Sequence, residues 1–314
     1  MTKEKILVSG ANGQIGSVLT EALRAKYGKE AVLATDIRMG NRDHGPFELL
    51  DILDGKQLSR LVRKYKITQI YHLAAILSAT GEKHPKMAWD INTNGLFNVL
   101  EIAREYKMKL FFPSSIAVFG SHTPRSHTPQ ETIIHPETVY GISKAAGENW
   151  CQYYHLHYGV DIRSVRYPGI IGYQSFPGGG TTDYAVEIFH KAVAGEDYEC
   201  FLREDTMLPM MYMDDAIKAT LELMEAPVEH IKVRTSYNLA AMSFTPAGIS
   251  AEIQKFYPDF KVTYQPDFRQ EIANTWPETI DDQQARSDWA WKPDYDLESM
   301  TEDMIKNLKK ILRP

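Results

Sequence analysis

Lys5-Ile-Leu-Val-Ser-Gly-Ala-Asn-Gly-Gln-Ile-Gly16 is the stretch whose reading decides the fold. A short apolar run ends in a turn with glycines at 10, 13 and 16. Gln14 to Lys26 then carries Ile15, Val18, Leu19, Ala22 and Leu23 at helical spacing. Glycines placed between a strand and a helix allow a tight turn, close approach of backbone to a pyrophosphate, and close helix–strand packing. The helix N-terminus then faces the phosphates. Strand before and helix after make Gly10, Asn12, Gly13, Gln14, Ile15 and Gly16 a candidate dinucleotide cradle.

Outward from this stretch the pattern repeats. Ala31–Asp36 reads as a second buried strand, Phe47–Leu50 as a third, Gln69–Leu73 as a fourth, Lys109–Pro113 as a fifth and Asp161–Arg166 as a sixth. Helical spacing fills the gaps at Lys56–Tyr65, Pro85–Tyr106 and Pro136–Tyr158. Alternating strands and helices, with near-continuously apolar strands, predict an α/β fold: a doubly wound, Rossmann-type parallel sheet covered on both faces. After Tyr167 the alternation loosens and Pro and Gly become frequent. Residues 1–167 are therefore expected to form the dinucleotide-binding domain and 168–314 a smaller α/β substrate lobe, with some of its elements returning to the first sheet.

Composition narrows the class. The chain has 314 residues, of which 43% are hydrophobic and 24% charged, and a net charge of −6. That balance fits a globular protein and argues against a nucleic-acid or anionic-membrane surface. Its two cysteines, Cys151 and Cys200, have no metal-like spacing, so no metal site is expected and both thiols are read as buried in a reducing compartment. No apolar run is long enough to span a bilayer, and the first strand starts too early for a leader to precede it. A cytoplasmic location is the expectation.

Asp36 closes the second strand, twenty residues past Gly16. A carboxylate there accepts hydrogen bonds from ribose hydroxyls and repels a 2′-phosphate, which predicts NAD over NADP. Arg38 is read as a solvated side chain, as one lying over the adenine, or as a phosphate ligand. Asp51 and Ile52 are placed to meet the adenine edge, although Asp51 equally suits the cap of the next helix. His72-Leu-Ala-Ala75 ends the fourth strand with small residues where the cofactor would pass.

The chemistry is carried by Tyr140-Gly-Ile-Ser-Lys144 and by Ser115 upstream. Tyr and Lys at i and i+4 share a helix face. An ammonium beside a phenol favours the phenolate. A nearby Ser hydroxyl would hold a substrate oxygen while the Tyr takes its proton. Such a trio oxidises an alcohol or reduces a ketone, given a hydride carrier.

These residues, with Asn92, Leu73-Ala74-Ala75, the Ser114-Ser115-Ile-Ala-Val-Phe-Gly120 segment and Tyr167-Pro168, make the chain resemble the extended short-chain dehydrogenase/reductases. The resemblance spans most of the first 170 residues. It implies that Ser115 bonds the substrate, with Ser114 as its rival. It assigns Tyr140 as acid/base and Lys144 as the cation that lowers the Tyr pKa and holds the nicotinamide ribose. It also places Asn92, Leu73, Ala74, Ala75, Tyr167 and Pro168 at the NAD site.

Sugar-nucleotide epimerases and dehydratases of that family usually carry Arg-Asp-aromatic in the second lobe, the Arg meeting a diphosphate. Here Pro209-Met-Met-Tyr-Met-Asp-Asp215 has Met in that position. A diphosphate lacking a cation would be poorly compensated, which points to a smaller substrate. Gly178-Gly-Gly-Thr-Thr182 enters a helical run at Asp183–Ala194. It reads either as a pocket of N–H donors for a small anion or as a plain capped helix. With Leu77-Ser78-Ala79, Pro177–Phe189, Met210–Ala216 and Thr275-Trp-Pro-Glu-Thr279, the whole chain is similar to the short-chain group of L-threonine 3-dehydrogenases. This resemblance implies NAD-dependent oxidation of the threonine β-hydroxyl to 2-amino-3-oxobutanoate, with the carboxylate against Gly180 and Thr181, Ser78 close by, and Trp276 either closing the pocket or packed in the second lobe. It also implies a homodimer through the helices near 85–106 and 136–158, in which Phe97, Trp150 and Tyr154 serve as interface or core. Glycines 178–180 are expected to hinge a closing segment. The competing functions are a sugar-nucleotide epimerase or dehydratase, and a non-catalytic NAD sensor.

Overall fold

The computed structural model describes residues 4–40, 44–174, 176, 178 and 180–312. In chain order the first part contains β1 (Ile6–Ser9), α1 (Gln14–Tyr27), β2 (Val32–Asp36), β3 (Phe47–Leu49), α2 (Gly55–Tyr65), β4 (Gln69–His72), α3 (Ser78–Lys83), α4 (Pro85–Trp89), α5 (Gly95–Tyr106), β5 (Lys109–Ser115), α6 (Val139–Tyr158) and β6 (Ile162–Tyr167). The remainder contains β7 (Gly169–Ile171), α7 (Tyr184–Ala194), β8 (Tyr198–Cys200), β9 (Leu208–Tyr212), α8 (Met213–Glu225), β10 (Tyr237–Asn238) and β11 (Met242–Phe244). It closes with α9 (Pro246–Gln254), β12 (Val262–Tyr264), α10 (Phe268–Asn274), α11 (Gln283–Trp289) and α12 (Leu297–Leu312).

Seven strands form one sheet in the order β10-β6-β5-β4-β1-β2-β3, every neighbouring pair parallel. This is the Rossmann-like α/β architecture expected. The alternation within each strand explains the double winding. Ile6 and Val8 point into a core shared with α1 and α8, whereas Leu7 between them points into a second core shared with α2, α5 and α6. Strand order reverses beside β1, and ligands of open parallel sheets bind at the carboxyl ends of the strands at such a switch point.

The later part of the chain does not stand apart. β10 joins β6 at the sheet edge and α8 packs beside α1, where Lys26 pairs with Glu225 at 2.6 Å and the Tyr27 hydroxyl donates to the same carboxylate at 2.7 Å. The rest builds a second core around α7, α9 and α12, beside a small sheet in which β9 lies between β7 and β11.

Two local differences from the sequence reading bear on the site. A single helix over 85–106 is expected, but α4 and α5 are joined by a wide π turn at Asp90–Asn94. α3 also precedes them, within a stretch with no predicted element. The wide turn matters because its Asn92 reaches across to other segments, as described below. α6 starts at Val139 rather than Pro136, since Thr138 caps it by accepting the Gly141 N–H at 3.0 Å.

Candidate active site

The glycine turn is shaped as a cradle. Gly10 has φ +73°, and a Cβ on Gly16 would lie 2.1 Å from the Gly10 carbonyl oxygen. Side chains are sterically excluded here, so backbone alone lines the approach to the α1 N-terminus, whose first turn carries no acidic residue. Gly10, Gly13, Gln14, Ile15 and Gly16 all line a cleft enclosing about 1050 Å³, part of it open to solvent. Gln14 also reaches the far wall, donating to the Ile170 carbonyl at 3.3 Å.

Asp36 stands where β2 ends and its two oxygens accept the Asn12 and Arg38 N–H groups, each at 3.1 Å. Asn12 in turn donates to the Arg38 carbonyl at 2.8 Å. The carboxylate therefore organises the loop at the edge of the cradle and keeps lone pairs for further donors. Arg38 and Asn12 are exposed. Leu73 and Ala75 line the cleft, while Ala74 backs onto Gly10. Tyr167 and Pro168 line it too, but the Tyr167 hydroxyl is turned away to Thr220 on α8.

Of the predicted cofactor residues, Asn12, Asp36, Arg38, Asp51, Ile52, Ala74 and Asn92 do not line this cleft. Asn92 is buried, with Oδ1 accepting the Ile76 N–H at 2.8 Å and Nδ2 donating to the Ile76 carbonyl and to Ser143 Oγ at 3.1 Å. Its amide pins the loop after β4 to α6. The Ile52 side chain is buried against Gly95. Asp51 accepts the Leu53 N–H at 2.9 Å in a local turn, and Asp54, not Asp51, caps α2.

The reacting trio converges as expected. The Ser115 side chain hydrogen-bonds Tyr140, and Ser115 Oγ also accepts the Ala117 N–H at 3.2 Å. Its rival Ser114 lines the cleft too, but the Ser114 hydroxyl is buried and donates to Glu148 at 2.6 Å. Tyr140 can approach Ser115 because residue 141 is glycine; a Cβ there would lie 2.0 Å from the Ala117 carbonyl oxygen. The Gly after the Tyr is the signal for this contact, and it is legible only once the packing is known.

Electrostatics correct one expectation. Burial pushes the Tyr140 phenol up to about 12, opposed by the Ser115 hydrogen bond. The Lys144 ammonium lies 5.6 Å from the Tyr140 ring centroid, and its Nζ donates to the Pro113 carbonyl at 2.6 Å. Burial brings Lys144 itself down to about 8, resisted by Cys151 and Glu148. Desolvation thus outweighs the ion–phenol attraction on which the sequence argument relied. His72, buried against Ser9 at 2.9 Å, is brought down to about 3 by burial and then by Lys144, so it is a neutral packed residue.

The opposite wall comes mostly from the second part of the chain. Gly180, Thr181, Thr182 and Trp276 line the cleft with Tyr140, and Ser78 joins them from the first part. Leu77, Gly169 and Ile170, which sequence reasoning did not place at the site, line it as well. Thr181 and Trp276 are 1% and 4% exposed, yet Thr181 Oγ1 and Trp276 Nε1 have no hydrogen-bond partner among the described residues. Buried polar atoms are nearly always paired, so two orphans lining one cleft mark a place for a polar ligand. The Gly180 N–H is not available in the way expected, because it donates to Asp183 at 2.7 Å. Of the proposed hinge, Gly179 lies outside the described residues, as does Pro177 of the neighbouring segment. On β9 and at the start of α8, Met210, Met211 and Met213 are fully buried, so no cation stands at the position of the family arginine.

The family described as NAD dependent epimerase/dehydratase matches residues 6–240. An uncharacterized epimerase/dehydratase of Staphylococcus haemolyticus is 50% identical over 311 residues, covering 98% of each chain. Among solved structures, a GalE-like L-threonine dehydrogenase from Cupriavidus necator in its holo form superposes with TM-score 0.96 at 56% identity, covering 97% of this chain and 100% of that one. A monomeric L-threonine 3-dehydrogenase from a metagenome, in apo form, gives 0.95 at 50% identity, covering 98% and 99%.

Proposed function

The chain belongs to the NAD dependent epimerase/dehydratase family, and we propose that within it this protein oxidises the β-hydroxyl of L-threonine to 2-amino-3-oxobutanoate. NAD is the cofactor, and the cradle fits it: the Cβ-free surface of Gly10 and Gly16 admits a pyrophosphate, and Asp36 suits an unphosphorylated ribose. The residues that would hold NAD are Gly10, Gly13, Gln14, Ile15, Gly16 and Asp36 on one side and Leu73, Ala75, Lys144, Tyr167 and Pro168 on the other.

The observation that carries the substrate reading is the pair of orphaned buried donors, Thr181 Oγ1 and Trp276 Nε1, across the cleft from Tyr140. Two neutral donors suit a single carboxylate. They do not offer the positive charge that a sugar-nucleotide diphosphate needs, and β9 supplies methionines instead. The L-threonine dehydrogenases among the solved structures at 50% identity and above support the same reading.

The mechanism follows from the positions of this chain's own groups. Ser115 and Tyr140 hold the β-hydroxyl between them. As the C–O bond becomes C=O, the hydroxyl proton passes to Tyr140 Oη. The hydrogen on the same carbon leaves with its electron pair, which NAD accepts when bound. Because burial keeps Tyr140 protonated to about 12 in the protein alone, the phenolate depends on positive charge that arrives with the oxidised cofactor, added to that of Lys144. Lys144, fixed by the Pro113 carbonyl, would hold the ribose of bound NAD beside Tyr140.

An absorbance assay of NAD reduction tests this, with L-threonine, its β-epimer, L-serine and UDP-sugars as arms. Turnover with L-threonine alone is expected, and turnover with a UDP-sugar in its place overturns the reading. We also propose assembly through the face of α4, α5 and α6. Trp89, Ile142, Trp150, Tyr153, Leu156 and Tyr158 are exposed there, whereas Tyr154 is buried and belongs to the core. A homodimeric mass in solution is expected, and a monomeric one, as in the metagenomic relative, refutes the dimer.

A further inference from the structure

Tyr140, Lys144 and Glu148 follow one another at i, i+4 and i+8 on α6, yet Glu148 does not line the cleft. It is 2% exposed and accepts three hydrogen bonds. Ser114 Oγ donates to Oε1 at 2.6 Å, Arg166 Nε to Oε1 at 2.9 Å and Arg166 Nη2 to Oε2 at 2.7 Å. Arg166, from β6, is equally buried and also donates to Asn238 Oδ1 at 3.0 Å and to the Gln130 carbonyl at 3.2 Å. Asn238 continues the chain of bonds, donating to the Thr128 and Asp281 carbonyls. Asp281 lies five residues beyond Trp276 of the opposite wall. Replacing a buried ion pair with apolar side chains is often neutral or stabilising, so its stability alone does not account for a carboxylate at this position.

We propose that Ser114 and Glu148 are positioning residues: their contact sets the register between α6 and the end of β5, and so holds Ser115 against Tyr140. The inference rests on the roles assigned above to Ser115 and Tyr140. The two serines are consecutive, and each binds α6 at a different point, Ser115 at Tyr140 and Ser114 two turns on at Glu148. Two such points fix both the sliding and the tilt of a helix on a strand, which one contact cannot do. The contact that fixes the reacting hydroxyls lines the cleft and must exchange partners with substrate. The other is buried, charge-assisted and permanent, so it carries the alignment between turnovers.

The test is Ser114→Ala, which leaves the Arg166–Glu148 pair intact, compared with Ser114→Thr, which restores a hydroxyl. Both are assayed beside Tyr140→Phe, using whichever alcohol the unmodified enzyme turns over. Misplacement of reacting groups by about 1 Å costs roughly a hundredfold, and a partial loss of register costs less. For Ser114→Ala a fall in kcat of about tenfold is expected, with both KM values within about twofold and the unfolding midpoint nearly unchanged. Ser114→Thr should regain most of the kcat. Glu148→Gln should lose kcat further. Unchanged kcat in Ser114→Ala, or a loss that merely tracks a lowered unfolding midpoint and is not recovered by Ser114→Thr, overturns the proposal. If Tyr140→Phe keeps activity, the catalytic assignment fails instead, and the two failures are distinguishable.

Discussion

The cleft has two walls made by different means. The wall from the first part of the chain is mostly backbone: a glycine turn, the segment after β4 with Leu73 and Ala75, and the end of β5. The wall opposite is mostly side chain: Thr181, Thr182 and Trp276 from the second part, with Leu77 and Ser78 beside them. Backbone surfaces recognise what every relative shares, a dinucleotide, because shape and N–H direction follow from the fold. Side-chain surfaces recognise what differs between relatives. Tyr140 sits between the two walls and serves neither as shape nor as selectivity, so its loss is expected to be the largest. Tyr140→Phe removes the proton acceptor while keeping the ring, and a drop in kcat of about 10³–10⁴-fold should appear in the absorbance assay with little change in NAD affinity. Near-normal turnover would mean another group takes the proton.

The next two variants set the walls against each other. A side chain on Gly16 would strike the Gly10 carbonyl, so Gly16→Val should weaken NAD binding about 100-fold or more in a fluorescence titration. It should also lower the unfolding midpoint through overpacking worth about 1–3 kcal/mol. Thr181→Val and Trp276→Phe conserve shape and remove one donor each. Each should raise KM for L-threonine about tenfold, since a lost hydrogen bond to a charged group is worth roughly 1.5–3 kcal/mol less any compensation by water. KM for NAD should not move. If these variants affected NAD as much as L-threonine, the division of labour between the walls would be wrong.

The same division explains how much of the protein was legible in its sequence. The sheet could be read from Ile6–Val8 and its successors, because apolar strands and helical spacing are local signals and only the parallel winding remains to connect them. The glycine cradle and Asp36 were legible for the same reason, since residues within one βα unit are brought together by that unit. Tyr140 and Lys144 share one helix, and their link to Ser115 follows from the adjacency of β5 and α6. The second wall combines Ser78, Thr181 and Trp276, which no local pattern places together, and only likeness to a family joined them. Burial was illegible too. The i, i+4 spacing predicts an ammonium acting on a phenol, but it does not show that both groups are desolvated, which is what sets Tyr140 near 12 and Lys144 near 8. Nothing in the local sequence sets Glu148 apart from a helix surface charge; only the fold brings Arg166 and Ser114 around it.

Asn92 gives the smallest expected effect, and it separates the two ways of reading a residue. Family likeness places it at the cofactor, whereas the structure puts its amide on Ile76 and Ser143, with both ends occupied. A group whose hydrogen bonds are satisfied within the protein has little left for a ligand. Asn92→Ala should therefore leave NAD affinity within about threefold, while unpairing the Ile76 backbone should cost stability of roughly 1–3 kcal/mol. Since Ile76 lies two residues before Ser78, any kinetic change should fall on the L-threonine side. A large and selective loss of NAD binding in this variant would show that Asn92 exchanges Ile76 for the cofactor during turnover, and the first wall would then contain a side chain that acts as more than scaffold.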